Sequence, residues 1–171
     1  TPITSGKTAF DNPSFDKSKI ININIVNGYQ FADSLNIPNL IVPSELCPTN
    51  HLEWEQDHFQ ALWLSIIAEK CENVYMKKDW EYSNGCTEEL VHSFQLKLGI
   101  PKHDSLVFYN TKEDRAKSIE RMKNIKVYDH NKEIITIDKA IDKLDISAKI
   151  MNSNKLTIAK ELLIATKELL N

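Results

Sequence analysis

The stretch WEYSNGCTEEL, residues 80–90, sets two aromatics, a serine, a glycine and two adjacent glutamates where a turn passes into a helix. A carboxylate at such a point suits chemistry at an electrophilic carbon, where it stabilises or captures developing positive charge, as in the cleavage of a glycosidic bond. Ser83, Asn84 and Gly85 read as the turn, with Glu88 and Glu89 in the first turns of the helix. Helical neighbours diverge by about 100°, so the two glutamates cannot do the same job. The apolar positions Leu90, Val91, Phe94 and Leu98 do not decide which of them faces a ligand. Two acids near a helix N-terminus also stabilise the helix through its macrodipole, and that plainer reading stays open.

A second acid opens the long helix that follows WEQD, residues 54–57. Asp57 heads a stripe of Ala61, Leu64 and Ala68, so its carboxyl is either half-buried and poised to hold a proton, or a first-turn aspartate favoured by the helix dipole. The segment PITSGK, residues 2–7, has small residues and hydroxyls that suit an anion such as phosphate, or else forms a plain polar loop. Cys86 lies at a helix N-terminus, where a thiolate is stabilised, but no histidine is placed by sequence to activate it. The five histidines, His51, His58, His92, His103 and His130, lack the i, i+4 spacing of a helical metal site and read as solvated or core residues. No metal and no organic cofactor is expected.

The elements that must position these residues follow from periodicity. Residues 25–35 have helical spacing, and NLIVP, residues 39–43, is a short β-branched run. In residues 51–71, Phe59, Leu62, Trp63, Ile66 and Ile67 form one face of an amphipathic helix. ENVYM, SLVFYN and NIKVYD read as strands, CTEELVHSFQLKLG as a helix stopped by Gly99, KEDRAKSIERMK as a charged helix, and residues 155–170 as a last amphipathic helix. This alternation predicts an α/β fold, a doubly wound, flavodoxin- or Rossmann-like parallel sheet with helices on both faces, in a single domain spanning residues 1–171. In such sheets ligands bind beyond the carboxyl ends of the strands.

Composition narrows the function classes. The 171 residues include 42% hydrophobic and 26% charged residues with a formal net charge of −3, which argues against a nucleic-acid surface. No apolar run is long enough for a membrane span, no secretory signal is evident, and three cysteines, Cys47, Cys71 and Cys86, fit neither a zinc site nor a disulfide scaffold. A cytoplasmic protein with a small-molecule partner is the expectation.

The order PITSG, then WEQD, then a short strand followed by S-x-G-x-x-x-E resembles the nucleoside 2-deoxyribosyltransferase superfamily, and most closely its 2'-deoxynucleoside 5'-phosphate N-hydrolase branch. The resemblance covers residues 1–100, leaving residues 101–171 for final strands and extra helices. It implies Glu89 as nucleophile, Asp57 as the acid assisting departure of the base, Ser83 as a contact to the 5'-phosphate, and Ile3, Thr4, Ser5 and Gly6 as the loop around sugar and phosphate. Gly85 then gives the backbone room beside the sugar, and Trp80 or Tyr82 stacks on the base. The implied activity is N-glycosidic cleavage of a nucleoside or its 5'-monophosphate, by hydrolysis or base exchange, in a homodimer. A non-catalytic nucleotide-binding or sensing module is the alternative.

Departures accompany the resemblance. The family's first strand should precede the PITSG loop, yet the sequence opens at Thr1; either that strand is absent from the sequence or another segment replaces it, with ININIV, residues 21–26, the candidate substitute. Ser93 and Phe94 stand where a more open helix face is expected.

Overall fold

The computed structural model describes residues 7–43, 56–99 and 111–171. Within them the order is α1 (Lys7–Asp11), α2 (Lys17–Leu35), α3 (Gln56–Lys70), β1 (Asn73–Tyr75), a 3-10 turn (Trp80–Tyr82), α4 (Asn84–Leu96), α5 (Lys112–Lys123), β2 (Lys126–Tyr128), α6 (Ile137–Met151) and α7 (Asn154–Leu170).

This corrects the expected doubly wound sheet. Among the described residues the sheet consists of two three-residue strands, β1 and β2, paired in parallel with Val74 opposite Val127 and Tyr75 opposite Tyr128. The rest of the architecture is helical. ININIV, residues 21–26, is the middle of α2 rather than a replacement strand. Asp16 caps that helix by accepting from the Lys19 amide at 2.8 Å, and Ile20, Asn24 and Leu35 are buried on one face. Helical burial overrides the local β-branched alternation. NLIVP also fails as a strand: Pro38 and Asn39 form a turn, with Asn39 at φ 59°, and Leu40 to Val42 run irregularly. SLVFYN lies outside the described residues, as do residues 51–55 of the expected long helix.

Helix α4 is the hub. It is buried along most of its length, from Gly85 through Leu96, and packs against α3, α7 and the 3-10 turn. Ser83 starts it as N-cap, its hydroxyl accepting from the Cys86 amide at 3.2 Å. The chain leaves α4 through Gly99, whose φ of 73° lies in the left-handed region that other residues enter only with strain. Arg121 of α5 donates to the Cys71 and Ala68 carbonyls, tying α5 to the end of α3.

Helices α6 and α7 form a hairpin closed by Asn152 in the left-handed conformation and opened again by the Ser153 cap. Ala140 and Leu144 of α6 meet Leu156 and Leu163 of α7 in the same core that holds Leu90, Leu96, Met122 and Val127. The ion pairs Lys160–Asp145 and Lys167–Asp138 run along the outer seam between the two helices. A Leu side chain with no exposed surface makes the hairpin's attachment measurable. Leu163→Ala is expected to lower unfolding free energy by about 2–5 kcal/mol in chemical denaturation, whereas Leu169→Ala at the exposed tip changes it by less than about 0.5 kcal/mol.

Candidate functional site

Because β1 and β2 are parallel, the segments leaving them emerge on the same side. From β1 come Lys77, Lys78 and Asp79, and from β2 come Asp129 and His130. Asp79 adopts φ 62°, a left-handed turn that an aspartate tolerates, and sends the chain into the 3-10 turn and then α4. Helix α2 lies across these ends. Two cavities fill the space between.

The first, of about 360 Å³, is polar: Lys7, Asn24, Asn27, Lys78, Asp79 and His130 are among its walls, and Ser83 reaches it from the α4 cap. The second, of about 120 Å³, is mostly apolar, lined by residues such as Ile25, Leu35, Val42 and Met76, with Cys86 and Glu89 contributed by α4. Asn24, Phe31 and Lys77 line both, so the two cavities adjoin as one bipartite site.

Each residue singled out from the sequence has a definite place. Glu89 is only 9% exposed, in the second turn of α4, and lines the apolar cavity. Its neighbour Glu88 is exposed, which resolves which of the two glutamates faces inward. Ser83, 2% exposed, caps α4 and lines the polar cavity. Gly85 is buried in the first turn of α4. Ile3, Thr4, Ser5 and Gly6 lie outside the described residues.

Two expectations are corrected. Asp57 sits in the first turn of α3 but is exposed, and it lines neither cavity. Its stripe is buried only further along, at Leu64 and Ala68, because the first turn of α3 projects beyond the core. Trp80 offers no stacking face: its ring is 1% exposed inside the core, with the Lys143 ammonium 5.6 Å from the ring centroid. Tyr82 is partly exposed and carries Lys7 over its ring at 5.0 Å.

Cys86 is not an activated thiol. Burial, and next the negative charge of Glu89, push it up from its ordinary value, outweighing any gain from the helix N-terminus. His92 is a core histidine whose Nε2 lies 3.0 Å from the Leu64 carbonyl oxygen, and His58 is exposed. Among the described residues no three His, Cys, Asp or Glu side chains converge as a metal-ligand set, and no helix is long and apolar enough to cross a membrane.

Sequence reasoning missed Asn24, Asn27, Phe31, Lys77 and His130. The asparagines were hidden inside a segment read partly as a strand. Lys77 and His130 carried a usable signal, since each stands just past the carboxyl end of a strand read correctly from ENVYM and NIKVYD.

The turn bearing His130 is built tightly. The buried Asp129 carboxylate accepts from the amides of Asn131 at 2.9 Å and Glu133 at 3.0 Å, with Lys139 at 3.4 Å. Lys132, at φ 64°, donates to the Leu35 carbonyl at 2.9 Å and so ties this turn to the end of α2. Compared with family models, with characterised proteins and with solved structures, the chain matches none.

For Asp129, burial pushes the carboxyl up, but the Glu133 and Asn131 amides and Lys139 together hold it below the usual carboxylate range. A depressed folded-state value contributes stability that is present above the unfolded value of about 3.9 and is lost as pH falls through the folded value. Denaturation midpoints followed from pH 7 to pH 2 are therefore expected to drop less steeply below pH ~4 in Asp129→Asn than in the native protein. Asp145, held down to about 2 by Lys149 and Lys160, sustains part of the remaining acid dependence.

Proposed function

We propose that the chain is an N-glycosidase that cleaves the base–sugar bond of a nucleoside or nucleoside 5'-monophosphate, with Glu89 as the carboxylate acting at the anomeric carbon. The observation that carries this reading is the position of Glu89: a buried acid on the wall of an apolar cavity that shares Asn24, Phe31 and Lys77 with a neighbouring polar one. The order of S-x-G-x-x-x-E after a short strand supports it, as does the resemblance that this motif carries.

The two halves suit the two halves of the ligand. The apolar cavity takes the sugar, with its anomeric carbon toward Glu89. Lys77, on the shared wall, meets a phosphate borne by the sugar. The polar cavity takes the base, where Asn24, Asn27 and Asp79 supply donors and acceptors for its edges and Phe31 supplies an aromatic surface. Glu89 attacks as the bond to the base breaks, giving a glycosyl ester, and water or a second base then releases the sugar. The low polarity around Glu89 strengthens its attraction for an oxocarbenium-like centre.

The exposed position of Asp57, away from both cavities, favours a second reading: a module that binds the nucleotide without turning it over. Base release from nucleosides and nucleoside monophosphates, followed by chromatography for native protein and Glu89→Gln, separates the two. The catalytic reading expects release that falls about 10³-fold or more in the variant. Binding of a nucleotide without release by the native protein overturns it in favour of the binding module.

A further inference from the structure

We infer that His130 is the general acid that protonates the leaving base, an office the sequence motif assigned to Asp57; the inference rests on Glu89 acting at the anomeric carbon. Cleavage of an N-glycosidic bond leaves an electron pair on a base nitrogen, and a base without a proton is a poor leaving group. A donor must therefore stand on the base side of the scissile bond, across from the nucleophile. Asp57 is exposed on α3 and lines neither cavity.

His130 meets the requirement by placement. Glu89 lines the apolar cavity and His130 the polar one, and Asn24, Phe31 and Lys77 line both, so a ligand reaching past these three residues from one cavity to the other has its anomeric carbon toward the first and its base toward the second. Histidine is the side chain that ordinarily both holds and releases a proton near neutrality. The other charged groups on that wall are Lys7, Lys77, Lys78 and Asp79. The turn that presents His130 is fixed from both ends, by the Asp129 carboxylate beneath it and by the Lys132 bond to α2, the helix that forms the opposite wall.

The proton balance closes. As the C–N bond breaks, its electron pair stays on the base and the His130 imidazolium gives a proton to a ring nitrogen or carbonyl oxygen of that base. Glu89 oxygen forms the new bond to the anomeric carbon. In the second step a water attacks that carbon, the ester bond breaks to restore the Glu89 carboxylate, and the neutral imidazole takes the proton from the water.

The test compares a guanine nucleoside monophosphate with its N7-methyl counterpart, whose base already carries positive charge and departs without protonation. With His130→Gln in excess over substrate, so that only the first step is read, release of guanine is expected to fall about 10²–10⁴-fold while release of N7-methylguanine stays within about twofold of the native rate, which also reports an intact fold. Equal losses on both substrates, or no loss on either, overturn the assignment. Glu89→Gln isolates the underlying reading, since it is expected to lose both substrates; release that survives in it refutes the glutamate nucleophile whatever His130 does. No release of either base by the native protein overturns both.

Discussion

The helix that packs the whole core also carries the buried acid Glu89 on the wall of the apolar cavity, so the packing of that helix fixes where the carboxyl stands. Helix α4 touches α3, α7 and the 3-10 turn, so its apolar residues Leu90, Phe94 and Leu96 cannot move without unpacking the molecule. That rigidity is what gives the carboxyl a fixed position. Ser83 sets the starting point of the helix and hence the direction in which the fifth residue after Asn84 projects. A surface helix would leave the same residue free to turn toward water.

The bipartite cavity depends on a second constraint, the distance between α2 and the ends of β1 and β2. Two short strands are enough to fix it because they are parallel and in register, with the Tyr75 and Tyr128 rings stacked at 5.1 Å between centroids. Parallel pairing sends both outgoing segments to one side, and α4 begins on that side as well. The Lys132 bond to the Leu35 carbonyl then joins the β2 turn to the carboxyl end of α2, where the helix macrodipole favours a cation. The walls of the polar cavity are thus parts of one braced frame rather than independent loops.

How much of this was readable from residues alone depends on which physical term decided each element. Helices α4, α5 and α7 were legible from periodicity and, for α4, from the Gly99 stop, which takes a positive φ; the caps Ser83, Thr111 and Ser153 emerge only in the structure. β1 and β2 were legible as apolar runs between helices. The sheet was overread because ININIV alternates like a strand while its burial follows a helix, and because two β-branched residues between prolines in NLIVP do not make a ladder without a partner. For the site, Glu89 and Ser83 were tied to a turn that local signals define. Asp57 and Trp80 were misjudged because exposure at a helix tip and burial under α6 are tertiary outcomes, absent from any local pattern.

That difference separates the place of Glu89, set within two turns of its helix cap, from that of His130, set by a distant strand. A nucleophile in a capped, core-packed helix is specified by neighbours within one turn of it. The proposed proton donor comes from another element, and its place depends on how the chain returns between Leu96 at the end of α4 and Tyr128 at the end of β2. The strand that brings His130 there is three residues long, with Val127 buried beneath it and Asp129 pinning the turn that follows. Two parallel strands put His130 on one cavity while α4 puts Glu89 on the adjoining one, an arrangement that neither sequence neighbourhood contains alone.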